Sequence, residues 1–583
     1  MSGRRAVYHT GAAAPGWGLA TVARSGTVAC VLAAAVAASF AQEARRRDAP
    51  APAAEVRTEL ALIACTRPAG DANAPWTFLC VTPGTVDLPG GHELSLSPRW
   101  SPYSGSALYD PADLQDAQVA QLARDFAGVN LTRLDLASTH VTDAGLAYLV
   151  GLRSLNTVIL DRLTITDAGL ADLAGLEGLR QLSLTDTRVT GEGLERMQER
   201  ADLAKLWLNS TDLTDAALEH LAGFAHLAEL NLCDTQVTDA GLEHLAGLTS
   251  LAGLWLRETR VTDAGLAHLA GLEGLTVLNL RHTQVTDAGL AALGGLRNLR
   301  ELSLGGNVIS GAGLEHLEGL TRLAVLDLSQ SYITDAGLAD ISRLAGLTEL
   351  WLDDTGVTDA SLVRLAGLTS LTKLYLSATG VTGGGLGSLG ALTNLTHLVI
   401  SETGVTDAGL ECLEGLTNLT CLGLSETGVT DSGLVHLEGL HSLTELWLGG
   451  TAISDAGLAH LRGLAKLQVL WLGSPAEASA ITDAGLANLE GLSELTALRL
   501  GNTGVTDAGL VHLEGLARLT SLDLTQTRAT DAGMAALRAK LPGCSVLSGG
   551  GPGCTTRHSA RSRWPDGGPR LGAGTTLDAT DFG

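Results

Sequence analysis

The segment VTDAGL, or a close variant, begins at Val141, Ile165, Val189, Leu213, Val237, Val261, Val285, Ile309, Ile333, Val357, Val381, Val405, Val429, Ile453, Ile481, Val505 and Ala529. Every step is 24 residues except that from Ile453 to Ile481, which is 28. Seventeen copies in register restrict the chain to a repeat architecture, because one such unit is too small to enclose a core and must bury its apolar face on its neighbours. Proline usage marks the same object. Ten prolines lie within residues 1–111 and four lie from Pro542 onward, so that only Pro475 interrupts the long middle.

The unit reads LTxLxLxxTxVTDAGLxxLxGLxx, and its halves carry different periods. In LTELWL, Leu446 and Leu448 alternate with Glu445 and Trp447, so the leucines face one side of a strand and Glu445 and Trp447 the other. In DAGLAHLRGL the apolar residues recur every three positions, as a short helix or 3₁₀ segment with one buried stripe requires. Stacked units then form an α/β solenoid: a parallel sheet on one wall, short helices on the other, leucines between. At about 4.8 Å per strand the sheet is on the order of 80 Å long. Because helices are wider than strands, the ribbon curves with the sheet on its concave face.

This pattern resembles the leucine-rich repeat family over residues 114–548, a horseshoe of about seventeen 24-residue units. TDAGL is similar to the cysteine-containing subclass and to long bacterial arrays of the family. Those place Asn or Cys where this chain has Thr139, Thr187, Thr259, Thr427 and their equivalents, with Asn307 and Ser331 at the same position and Leu163 departing from it. A buried side-chain oxygen there is expected to bond the turn's backbone groups and satisfy donors otherwise orphaned. The resemblance implies a non-enzymatic scaffold for protein–protein interaction. Eukaryotic members of the subclass also serve as substrate-recognition subunits of ubiquitin ligases, but no convincing F-box precedes the repeats in residues 42–113.

The Thr-Asp pair of VTDAGL has a structural explanation, since either side chain can cap the first helical N–H groups and a carboxylate suits a helix N-terminus. Fourteen copies carry the Asp; Gly191, Gly311 and Gly383 replace it. So regular a series makes a catalytic role for any one member improbable.

The flanks divide the chain further. Arg4, Arg5 and Arg24 precede the apolar run TVACVLAAAVAASFA (27–41), which is shorter than the ~20 residues of a spanning helix and ends in a small-x-small site. Residues 1–41 therefore read as a signal peptide cut after Ala41, leaving no integral membrane span and an exported protein; the alternatives are an uncleaved anchor, or a cytoplasmic chain with a mis-assigned start. Residues 42–113 form a Pro-rich region with a small β-hairpin that shields the first edge strand. Cys65 and Cys80 flank its Pro-rich stretch and could pair. Leu114, Val119 and Leu122 echo the helical half as an N-terminal cap, LPGCSVLS supplies a last strand, and the Gly-rich residues 549–583 read as a disordered tail. The Ala- and Arg-rich composition suggests a bacterial source.

Charge and motifs exclude several function classes. A formal net charge of -25 is the wrong sign for nucleic acid, which needs clustered Lys and Arg to displace counterions. No GxSxG, HExxH, phosphate loop or dinucleotide fingerprint occurs, so no catalytic residue and no cofactor is nominated. His220, His244, His268, His316, His436, His460 and His512 share one helical position. That row reads as a solvated helix face rather than a metal site. Cys233, Cys412 and Cys421 read as packing or surface cysteines.

The concave face stands apart. Between the two strand leucines lie Trp207, Trp255, Trp351, Tyr375, Trp447 and Trp471, so five of the nine tryptophans share one position in 24. Alternation sends them onto the sheet surface, where aromatic groups mark binding hot spots, although cross-strand aromatic pairs also stabilise a sheet without any ligand. Trp351 beside Tyr375 and Trp447 beside Trp471 are the strongest pairs; Val399 and Gly423 leave a shallow gap between them, and Asp353, Asp354, Glu402 and Glu426 add an acidic rim. The only insertion, SPAEAS, follows Trp471 closely. These ten residues form the expected ligand site, for a protein or peptide first and a glycan or cell-envelope component as the alternative.

Overall fold

The computed structural model describes residues 114–197, 202–474 and 479–548 in full, and five N-terminal strands by their backbone. The proposed signal peptide, the tail and residues 475–478 of the insertion lie outside the described residues. The N-terminal strands are β1 (Ala54–Thr58), β2 (Leu62–Pro68), β3 (Thr77–Val81), β4 (Gly84–Leu88) and β5 (His92–Ser97). Eighteen further strands, from β6 (Leu131–Asp135) to β23 (Ser545–Leu547), each pair in parallel with the next.

Strand β5 runs parallel to β6 and antiparallel to β2, which in turn pairs antiparallel with β3, while β1 and β4 form a separate two-stranded sheet. The N-terminal region is thus more than the single hairpin expected, because β2 serves as a shared strand between β3 and β5. Its register sets Cys65 opposite Phe78 and Cys80 opposite Ile63, so the two cysteines are diagonal neighbours rather than a facing pair. The first helix, α1 (Asp116–Asp125), buries Val119 and Leu122, and Leu114, two residues ahead of it, lies in the same core.

One leucine-rich core runs the length of the solenoid from Leu114 to Cys544. Leu446 and Leu448, at 0% and 1% exposure, are typical members. Burying each such side chain contributes about 1.5–3 kcal/mol, which ties every unit to its neighbours.

The polar positions do two kinds of work. Thr259 Oγ1 donates to the Leu256 carbonyl at 2.7 Å, and Thr139, Thr187 and Thr427 do the same within their own units. The rung therefore satisfies an acceptor, not the donors the sequence suggested, because a hydroxyl three residues past a strand carbonyl reaches back to it. Asn307 spans two units instead: its Nδ2 donates to Leu280 and Leu304 carbonyls, and its Oδ1 accepts from Thr283 N. Leu163 is buried at the same position and lacks any such group.

The VTD carboxylate binds the next unit rather than its own helix. Asp239 accepts from Thr262 N at 2.7 Å and from Thr262 Oγ1 at 2.6 Å, while Thr262 Oγ1 itself accepts from Ala264 N as the helix cap. Equivalent bonds run from Asp116–Thr142 to Asp507–Thr530, crossing the 28-residue step through Asp455–Thr482. This ladder explains the Gly of DAGL. A Cβ on Gly265 would collide with Asp239 Oδ1, and Gly241, Gly289 and Gly509 meet the preceding Asp in the same way. Where Gly191 removes the carboxylate, the following unit carries Ala217 in place of that Gly, and Ser361 instead donates its hydroxyl to Asp335.

Candidate binding site on the concave sheet

The concave row is built by β15 (Glu349–Trp351), β16 (Lys373–Tyr375), β17 (His397–Val399), β18 (Cys421–Gly423), β19 (Glu445–Trp447), β20 (Val469–Trp471) and β21 (Ala497–Arg499). Their register puts Trp351 beside Tyr375, Tyr375 beside Val399, Gly423 beside Trp447 and Trp471 beside Arg499. Trp351, Tyr375, Val399, Cys421 and Trp447 make a hydrophobic cluster of their own, separate from the leucine core, with Trp471 packed on its edge.

The expected pairs are stacks. Ring centres are 3.9 Å apart for Trp351 and Tyr375 and 4.9 Å apart for Trp447 and Trp471, with interplanar angles of 18° and 15°. Such contacts contribute about 0.5–1.5 kcal/mol each beyond the area they bury. Two expectations fail. The rings are not an exposed surface, since Trp351, Tyr375 and Trp447 are only 6%, 1% and 7% exposed. Nor is there a gap at Gly423: a Cβ there would lie 3.0 Å from the Trp447 ring and 2.7 Å from Val399, so the missing side chain is the space that Trp447 fills. The rings lie along the sheet and cover one another, which strand alternation alone does not reveal.

Trp207 and Trp255 are half-buried and do not join this cluster. The strand carrying Asn231 separates them, and the Trp255 ring folds back over Gly253 of its own strand. Asp354, Glu402 and Glu426 are exposed, each at a left-handed turn with φ of 54°, 56° and 54°. Glu426 reaches across Gly450 to accept from Ser474 Oγ at 2.9 Å. Asp353 is different. It accepts from Ser377 N at 2.7 Å, and burial pushes its pKa up to about 6 against that hydrogen bond.

Other groups complete the cluster. Glu349 accepts from Trp351 Nε1 at 2.8 Å and pairs with Lys373 at 3.1 Å. Cys421 belongs to the cluster because it sits two positions before Gly423 on the same face, a placement that alternation supplies. Burial, with the Glu445 charge adding to it, pushes its thiol up to about 12. A protonated thiol is a poor nucleophile at neutral pH. Two buried polar atoms, Tyr375 Oη and Trp447 Nε1, have no hydrogen-bond partner. On the convex side, His436, His460 and His512 pair with Glu414, Glu438 and Glu490 of the preceding units. No group of three metal-ligating side chains occurs among the described residues, and no described helix is long and apolar enough to cross a membrane.

A model of the family described as Leucine Rich repeat matches residues 129–150, 275–294, 295–317 and 391–413. Solved structures similar to this chain include an internalin from Listeria monocytogenes, 28% identical over 62% of this chain and 94% of that one, with a TM-score of 0.45. A leucine-rich repeat protein of Leptospira interrogans is 20% identical over 75% of this chain and 100% of its own, with a TM-score of 0.48. The plant peptide hormone receptor RGFR1 in complex with RGF2 is 16% identical over 74% of this chain and 75% of its own, at 0.38. No curated protein gives a significant match.

Proposed function

We propose, from the premise that this chain is a leucine-rich repeat protein, that it is a non-enzymatic, exported recognition scaffold whose concave sheet binds a protein or peptide. The observation that carries the reading is the concentration of Trp351, Tyr375, Val399, Cys421, Trp447 and Trp471 in one cluster outside the core. A sheet needs no second hydrophobic cluster on its solvent side to fold.

The test is capture from envelope and soluble fractions by the full chain, compared with Trp447→Ala/Trp471→Ala and with Glu402→Gln/Glu426→Gln, whose folds are checked by circular dichroism. The reading expects a defined protein that wild type retains and the variants lose. Retention on glycans with no protein captured favours the carbohydrate alternative. Identical capture by all three chains refutes a concave site.

A further inference from the structure

The outermost ring of the stripe is already covered by a cation from the chain itself. The Arg499 guanidinium carbon lies 3.9 Å from the centre of the Trp471 ring, and the strand order puts Trp447 on the other side of that ring. From β15 to β21 the concave and rim positions hold six carboxylates, Glu349, Asp353, Asp354, Glu402, Glu426 and Glu445, against two permanent cations, Lys373 and Arg499. Lys373 is engaged by Glu349, and His397 is kept neutral because burial and the Lys373 charge lower its pKa. Arg499 is therefore the cation that the aromatic end of the stripe holds. A planar guanidinium suits that place better than an ammonium, because it stacks on an indole and still donates at its edge.

Gly449, Gly473 and Gly501 follow the strands that carry Trp447, Trp471 and Arg499, and a Cβ on Gly449 or Gly473 would collide with the backbone of the next unit, so the chain packs closely along this edge. The Glu426 carboxylate lies on the same rim, at Ser474, and the neighbouring Glu402 is exposed.

We propose that the stripe selects an extended, arginine-containing segment of a partner protein, and that Arg499 stands in for the ligand's guanidinium until one displaces it from Trp471. Glu402 and Glu426 pair with further cations of the segment. This deepens the concave-face reading and rests on it.

The probe is an end-capped heptapeptide of alternating Gly and Arg, titrated into the full chain by tryptophan fluorescence and calorimetry, with its Glu counterpart as control. Wild type is expected to bind the Arg peptide and not the Glu peptide. Arg499→Ala, which uncovers the Trp471 face, should tighten binding about two- to fivefold, the size of one exposed cation–π contact. Glu402→Gln/Glu426→Gln should weaken it, whereas the convex pair Glu414→Gln/Glu438→Gln should not. Because the whole chain is acidic, equal weakening by the convex pair would mean diffuse attraction and would overturn the proposal. So would an unchanged affinity in both Arg499→Ala and Arg499→Gln, or no binding of the Arg peptide at all. If the Arg peptide fails while a stripe-dependent protein is still captured from fractions, the cationic specificity is wrong and the recognition scaffold stands.

Discussion

Gly265→Ala tests the inter-unit ladder. In a short helix such as Asp263–Leu269, replacing Gly by Ala ordinarily gains about 1 kcal/mol. Here the new Cβ would displace the Asp239 carboxylate, which accepts two hydrogen bonds from Thr262 at 2.7 and 2.6 Å. Hydrogen bonds to a charged group contribute about 1.5–3 kcal/mol each when well buried, and less at this half-exposed site, so the net effect is a loss of about 1–3 kcal/mol. The native chain supplies the rescue, because Gly191 is followed by Ala217. Asp239→Gly/Gly265→Ala should therefore cost little more than Asp239→Gly alone. Gly271→Ala, where a Cβ meets nothing within 4 Å, serves as the neutral control. Amide hydrogen exchange over residues 238–266 reads the effect locally, which suits a repeat array whose unfolding need not be two-state. If Gly265→Ala stabilises as an ordinary helix substitution does, or if the two changes are additive, the carboxylate does not account for that glycine.

Three further outcomes follow from particular contacts. Thr259→Val should cost about 1 kcal/mol in chemical denaturation, since it leaves the buried Leu256 carbonyl without its 2.7 Å partner. Tyr375→Phe should gain about 1 kcal/mol by removing an unpartnered buried hydroxyl; a loss of stability would show that the hydroxyl has a partner. Stability should be highest near pH 4 and fall between about pH 4 and 6 in urea titrations. Asp167, Asp287 and Asp335 feel desolvation, but hydrogen bonds outweigh it and lower their pKa values below 3.8, so their contribution is full above that value and fades as pH falls through the depressed folded-state values. Asp353 works in the opposite sense: its folded pKa is about 6, so the folded state holds the proton more tightly and stability is lost as pH rises through that value. A stability profile that is flat from pH 4 to 8 would contradict the burial of the Asp353 charge.

Period and alternation made the solenoid, the strand positions and the concave row legible, because both follow from which residues must share a face. Leu446 and Leu448 are buried and Trp447 lies opposite them, as alternation requires. The degree of exposure was not legible. It depends on which way the Trp447 ring leans, and that is set by the empty position at Gly423 on the next strand. The Asp239–Thr262 bonds were hidden for a related reason: one repeat shows the Asp beside its own helix, while its partner lies 23 residues on. Gly191 with Ala217 was the available signal, a paired departure in consecutive units. The left-handed turns at Asp354, Glu402 and Glu426 had no such signal, because these positions are mostly not glycine and their backbone is held by bonds to the next strand, such as Asp354 N to the Ser377 carbonyl. In the N-terminal region the turn residues marked strand ends but not partners, and β2 was not visible as a shared strand.

The most direct test of concave recognition is the comparison of captured material between wild type and Glu402→Gln/Glu426→Gln, because both substitutions are exposed and leave the core untouched. A concave site requires a defined protein or peptide retained by wild type and reduced several-fold in the variant, with both chains equally folded by circular dichroism. The same material in the same amount from both would mean that the rim takes no part. If Trp447→Ala/Trp471→Ala behaved likewise, the aromatic cluster would be sheet packing and nothing more.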